Sequence, residues 1–241
     1  DDVAFVKVLR PTRADRLVAR QDLLAGAGLT PPGLARPAPG VVVTRAAAGR
    51  PLAALLADPN GDVPEPQALV DLLERLPSGL AQFERRPAWA DRLDFHGATA
   101  AERLPAHARR VAALTERLQA TLAAAPVGPV VPTHGDFYEA NILVGGERLA
   151  LIDLDASGPG LREDDLACLL AHLAVLPGLS PAHYAHLPAL VERWTADFET
   201  RVHPDALSAR VAAVLISLVA GGEEDQAEHR LDLAEEWARR G

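Results

Sequence analysis

Residues 132–160 constrain the fold more tightly than any other part of the chain. PTHGDFYEANILV (132–144) sets a His, two carboxylates and an Asn between apolar flanks, and ALIDLDASGPG (150–160) follows a Gly145-Gly146 turn. NILV (141–144) and RLALID (148–153) read as two short strands joined by that turn, a β-hairpin. A hairpin brings the loop before its first strand close to the end of its second. Asp136, Asn141 and Asp153 are therefore expected to converge. Taken singly, each is a residue that caps a turn or a strand end. Taken together, two carboxylates and an amide oxygen are hard ligands suited to Mg²⁺. The same set suits phosphoryl transfer, in which one Asp accepts the proton of a substrate hydroxyl while Asn and a second Asp hold metal on nucleotide phosphates.

The remaining chain reads as a small mixed segment followed by a larger helical one. AFVKVLR (4–10) is a short strand, residues 11–28 form a helix, and the β-branched run GVVVTRAAAG (40–49) is a second strand ended by Gly49. LTPPGLARPAPG between them is a Pro-rich loop with room for one short strand. After Gly49 the periodicity becomes helical: a short helix from RPLAALL, a helical period over 66–85, a long Ala/Leu/Arg helix over 100–125, and a helix over 164–176 stopped by Pro177-Gly178. Residues 181–241 read as two or three amphipathic helices, and Gly158-Pro159-Gly160 as a turn. Apolar residues make up 49% of the 241 and aromatics only 4%, which favours an Ala/Leu-rich helical body.

At His134-Gly135-Asp136, with Asn141 and the Ile152-Asp153 pair at this spacing, the chain resembles the aminoglycoside phosphotransferase and choline kinase-like family of small-molecule kinases. The resemblance covers nearly the whole chain and is strongest at 131–170. It implies an α+β, two-lobe protein-kinase-like fold. A small β-containing N-lobe over 1–48 carries the lysine strand, a helix and the hinge strand. A large, mainly helical C-lobe over 49–241 carries a catalytic β-hairpin. It further implies Asp136 as catalytic base, Asn141 and Asp153 as Mg²⁺ ligands, and His134 as a support of the loop. Asp165, in REDDLACLLAHL, is implied to brace that loop from the following helix. Lys7 is implied to bind nucleotide phosphates, and the backbone around Thr44, Arg45 and Ala46 to meet the adenine edge.

The function implied is transfer of the γ-phosphoryl group of ATP, with GTP as the alternative, to a hydroxyl of a small molecule. A kinase-like module that binds nucleotide or metabolite without transferring phosphate is the rival. It is kept open because the helix after Lys7 offers only Asp15 and Asp22 in place of the family's glutamate partner. The family's glycine-rich hairpin lies before the lysine strand. This chain opens at that strand and contains no Met, so an incomplete N-terminus is expected.

Other features carry less. The formal charge of -9 and pI near 5.4 speak against nucleic-acid or anionic membrane partners. One cysteine, Cys168 in an apolar run, fits a reducing cytoplasm and a core position. His172, His183 and His186 lack zinc-motif spacing and read as solvated or capping residues. The run Glu223-Glu224-Asp225 with Glu228 reads as a solvated helix start, with the minor alternative that it meets a substrate amine. Tyr138 and Glu139 follow the base directly and are equally suited to packing or to substrate contact; Asp155 has no supported metal role.

Overall fold

Valine-rich runs and proline punctuation account for most of the N-terminal architecture. The computed structural model describes residues 3–146 and 148–241; Asp1 and Asp2, where the expected N-lobe begins, lie outside them. Strand β1 (Ala4–Val8) pairs antiparallel with β3 (Val41–Arg45), setting Lys7 opposite Val42, and β2 (Gly33–Ala35) pairs with the other edge of β3. Helix α1 (Pro11–Gly26) has Pro11 in its first turn, where the missing N–H costs nothing. It buries Ala14, Leu17, Gln21 and Leu24, one face at helical spacing. That face packs on β3 and on a 3₁₀ turn at Leu154–Ala156, so the N-terminal sheet is tied directly to the segment after Asp153.

Strand β4 (Arg50–Pro51) joins the edge of the expected hairpin, β6 (Ile142–Gly145) and β7 (Arg148–Leu151), in which Ile142 faces Leu151 and Gly145 faces Arg148. Helices α2 (Leu52–Leu56) and α3 (Pro66–Glu74) follow β4. The expected helix over 66–85 is interrupted, because Pro77 is extended and only a 3₁₀ turn over Ser78–Gln82 follows. The expected long helix over 100–125 is two helices, α4 (Leu93–Arg103) and α5 (Ala108–Ala124). Leu104 precedes Pro105, and the proline ring drives it out of the helical region to φ -122° and ψ 70°.

Gly158-Pro159-Gly160 is a strand, not a turn: β8 (Gly158–Leu161) pairs antiparallel with β5 (Val130–Thr133). Pro132 lies opposite Pro159, so two residues without N–H share one rung of the ladder. Helix α6 (Arg162–Leu179) runs through Pro177 rather than stopping before it. Gly178 lies so close to His229 that any Cβ there would stand 2.5 Å from the imidazole. The last turn of α6 is thus held by a neighbouring helix, and packing overrides the local stop signal. Four helices follow instead of two or three: α7 (Pro181–Tyr184), α8 (Leu187–Phe198), α9 (Pro204–Leu218) and α10 (Glu224–Ala238).

The core lies in this helical part. Helix α9 is buried nearly all round and packs on α4, α5, α6 and α10. Cys168 is buried among the leucines of α6, a core position. Among the described residues no helix is long and apolar enough to cross a membrane.

Candidate active site

The loop between β5 and β6 is fixed from three sides. Its first residue, His134, is fully buried, and its Nε2 donates to the carbonyl of Ile152 at 2.9 Å. Burial holds the imidazole below its ordinary pKa and therefore neutral, with Nδ1 unpartnered. Asp165, in the first turn of α6, accepts the backbone N–H groups of His134 and Gly135, each at 2.8 Å. Burial pushes its carboxyl up to about 6 despite those two donors and the nearby Arg162. Gly135 has φ +80°, and a Cβ there would stand 2.7 Å from the Ala156 carbonyl oxygen. Only glycine both adopts that conformation and permits that approach. Phe137 is fully buried and anchors the far side of the loop.

These constraints present Asp136 half-buried at the surface of the loop. Burial pushes its carboxyl above the ordinary range, reinforced by the Asp153 charge and opposed by His134, Arg86 and Asn141. Asn141 is buried, and its Nδ2 donates to the Asp136 carbonyl at 2.9 Å. The Asn141 carbonyl accepts from the Ile152 N–H at 3.1 Å, which sets Asn141 beside the Ile152-Asp153 step. The hairpin thus gathers Asp136, Asn141 and Asp153 at one end of the β6–β7 sheet.

Asp153 is the one non-glycine residue with positive φ (57°) among the described residues. Such backbone costs about 1–3 kcal/mol and persists where surrounding structure imposes it. Its Oδ1 lies 2.5 Å from Lys7 Nζ, and Asp155 pairs with the same ammonium. Burial works against both ions. The hydrogen bonds with Asp153 and Asp155 nevertheless hold Lys7 above its usual pKa, and those from Lys7 and Asp155 hold Asp153 below the carboxylate range. The acid partners of Lys7 therefore come from the hairpin, 146 and 148 residues away, and not from α1. Asp15 on α1 pairs instead with Arg36. Arg20 of α1 donates to the Ser157 carbonyl at 2.5 Å and lies over the Phe83 ring, a second tie to this loop.

The donor chemistry fits Mg²⁺. The Asn141 amide nitrogen is spent on Asp136, so its oxygen is the atom left to ligate, and the carboxylates of Asp153 and Asp155 already surround a cation. Among the described residues no three His, Cys, Asp or Glu side chains form a cage.

Two clefts flank this hairpin. The first, of about 290 Å³, is lined by Lys7, Thr44, Arg45, Ala47, Ile152 and Asp153, with Leu17 and Leu154 as part of its apolar wall. Ala46 does not line it; its N–H is spent on the Val3 carbonyl. The second, of about 270 Å³, is lined by Asp136, Tyr138, His172, Arg86, Trp89 and Arg92. His172 is neither solvated nor a cap. It stacks on Tyr138 with ring centroids 4.5 Å apart, and burial pushes it down to about 4. The acidic run of α10 lines neither cleft; Glu228 pairs with His107 at 3.1 Å. Arg86, Trp89 and Arg92 escape sequence reasoning because ERRPAWADR has no periodicity and no motif, and only the fold sets it against Asp136.

Glu139 is buried, with Oε2 unpartnered, and burial pushes its carboxyl up to about 7. Below about pH 4.5 folded and unfolded chains both hold the proton. Between about 4.5 and 7 only the folded chain keeps it, so folding loses stability as pH rises through that window. Glu139→Gln is expected to match the wild type in urea denaturation at pH 4. By pH 8 it should exceed the wild type by as much as about 3 kcal/mol, at about 1.4 kcal/mol per unit.

Comparisons with known proteins bear on the fold and the family. A choline/ethanolamine kinase family protein from Mesorhizobium loti superposes with TM-score 0.60 at 21% identity, covering 97% of this chain and 82% of that one. The choline kinase LicA from Streptococcus pneumoniae gives 0.64 at 15%, covering 99% and 86%. A thermostable mutant of aminoglycoside phosphotransferase APH(4)-Ia, in complex with AMP-PNP and hygromycin B, gives 0.54 at 20%, covering 96% and 83%. At these identities the likeness shows the two-lobe, protein-kinase-like fold alone. No curated protein matches significantly in sequence. The model of the phosphotransferase enzyme family matches residues 5–186, a span that holds Lys7, the 134–141 loop, Asp153 and Asp165, and the chain belongs to that family.

Proposed function

We propose that this phosphotransferase is a small-molecule kinase, moving the γ-phosphoryl group of ATP, or of GTP, to a hydroxyl of a small acceptor. The observation that supports this most strongly is the pair of clefts meeting at one hairpin. Asp153 lines the first and Asp136 the second, with Asn141 bonded to the loop on one side and to the Ile152-Asp153 step on the other. Such an arrangement suits two substrates that must meet at one point. Relatives of this fold solved with AMP-PNP or with ADP support a nucleotide as one of them.

In this reading residues 1–48 form the smaller lobe and 49–241 the larger. The nucleotide lies in the first cleft, its base along Thr44, Arg45 and Ala47 and its phosphates toward Lys7. Asp136 orients the acceptor hydroxyl and takes its proton as the oxygen attacks the γ-phosphorus, and the nucleoside diphosphate leaves on the opposite side. His134 and Asp165 hold the loop that carries Asp136. Asn141 and Asp153 would hold Mg²⁺, which when bound neutralises charge developing on the transferring phosphoryl group. The rival reading, a module that binds without transfer, drew on a lysine lacking an acid partner. Among the described residues no acid of α1 pairs with Lys7, and Asp153 and Asp155 of the hairpin hold its ammonium instead.

Calorimetric titration of Mg²⁺·ATP into the protein and into Asp153→Ala tests the reading. Magnesium-dependent binding is expected, weakened about 10- to 100-fold in the variant. An intact protein that binds neither ATP nor GTP overturns it.

A further inference from the structure

The second cleft is lined by more basic than acidic side chains, in a molecule that is acidic as a whole. The chain carries a net charge of -9, yet Arg86 and Arg92 both line this cleft and Asp136 is its only acid. Neither arginine forms an ion pair or a side-chain hydrogen bond among the described residues, while neighbouring Arg85 is taken by Asp91 at 2.8 Å. Arg92 lies over the Phe95 ring, 4.6 Å from its centre, which holds the guanidinium in place without neutralising it. His172 adds no charge, since burial keeps it neutral at physiological pH.

Most acids of the neighbouring helices are paired elsewhere, and the unpartnered oxygens of Glu139 and Asp164 are buried outside the lining of this cleft. Glu228 pairs with His107, Asp232 and Glu235 pair with Arg110 of α5, and Asp164 pairs with Arg210. An ammonium entering the cleft would meet two guanidinium groups and find only Asp136, which the reaction needs for the hydroxyl. An anion would meet two unspent forks of N–H donors, a geometry matched to carboxylate and phosphate oxygens.

We infer that the acceptor of this kinase is a hydroxyl compound bearing an anionic group, a carboxylate or a phosphate monoester, held by Arg86 and Arg92 while its hydroxyl faces Asp136. This rests on the kinase reading above. It sets the chain apart from the choline and hygromycin B named for its structural relatives. Tyr138 and Trp89 supply the flat walls of the same cleft, suited to the carbon face of a ring.

Trp89 gives the experiment its signal. It is partly exposed and lines the cleft, whereas Trp194 and Trp237 are buried. Trp89 fluorescence is followed while D-glucose, D-glucosamine, D-glucuronate and D-glucose 6-phosphate are titrated into the protein, with a Trp89→Phe control. These share one ring and differ in charge. Binding of at least one of the two anionic sugars, about 10-fold tighter than glucose or glucosamine, is expected. The comparison between those two decides carboxylate against phosphate. Arg92→Ala and Arg86→Ala are each expected to lose about that factor, and Arg92→Lys to recover part of it. Equal or tighter binding of glucosamine, or no preference for an anion, overturns the inference.

With Mg²⁺·ATP present and the preferred sugar as acceptor, the arginine variants are expected to raise KM for the acceptor and leave KM for ATP unchanged. A rise in KM for ATP instead assigns the arginines to the transferring phosphoryl group and overturns it. The nucleotide titration with Asp153→Ala reports on the kinase reading separately. ATP binding with a preference for glucosamine sinks the anionic acceptor alone. Anion binding without any nucleotide binding sinks the assignment as an acceptor.

Discussion

Asp136→Asn is expected to lower kcat about 10³-fold while leaving the affinity for Mg²⁺·ATP nearly unchanged. The substitution keeps the shape of the side chain and removes its capacity to take a proton. The loop itself does not depend on that carboxylate: its ties run through Asp165, the His134 imidazole, and the backbone carbonyl of Asp136, which accepts from Asn141. In the proposed reaction nucleotide affinity rests on the other cleft, which Asp136 does not line. Release of ADP under saturating acceptor gives kcat, and calorimetry gives the nucleotide affinity. A variant turning over at the wild-type rate would remove Asp136 from the chemistry. The pH profile has a definite sign. Burial and the Asp153 charge raise the Asp136 carboxyl, so the acid limb of kcat/KM should bend above the ordinary carboxylate range.

Asp165→Ala is expected to have the second-largest effect and to act on stability and rate together. The side chain is buried in the first turn of α6, and both its oxygens are used on the backbone N–H groups of His134 and Gly135. Alanine leaves the buried His134 donor unpartnered, at about 1–3 kcal/mol, and the part-buried Gly135 donor at less, partly offset because a buried carboxyl is removed as well. A net loss of roughly 3 kcal/mol is expected in urea denaturation, a large share of the stability of an ordinary domain. The loop would also shift under Asp136, and misplacement by about 1 Å costs roughly 10²-fold in rate. Asp165→Asn retains one acceptor oxygen but sets an NH₂ group against the second N–H, so it should fall between alanine and wild type in both measurements. Unchanged stability in Asp165→Ala would mean that the brace contributes nothing.

What could be read in advance follows the range of the interactions involved. The β6–β7 hairpin and its polar ends were legible because the turn, the strands and the carboxylates lie within 25 residues. Local rules and the family resemblance agree there. The β5–β8 pairing was not legible: a Gly-Pro-Gly run has every mark of a turn, and it becomes a strand only because Pro132 and Thr133 lie alongside. Helix ends failed for the same reason in both directions. Pro105 broke a helix that periodicity carried through it, and packing against His229 carried α6 past a Pro-Gly stop. The partner of Lys7 was sought on the adjacent helix, whereas the chain supplies it from the hairpin. The second cleft draws on four separate stretches of sequence, and no local pattern in any of them announces it.

In the Lys7–Asp153–Asp155 cluster one ammonium is already held by two carboxylates before any ligand arrives. In the proposed reaction, loading is then an exchange of counter-ions and not the filling of an open charge. The ammonium would turn from carboxylate oxygens to phosphate oxygens, leaving Asp153 and Asp155 free to hold a cation. The free energy of loading is the small difference between two sets of strong pairings. Shortening Lys7 or either carboxylate alters both sides of that exchange, so the change in affinity reports which set the residue served more.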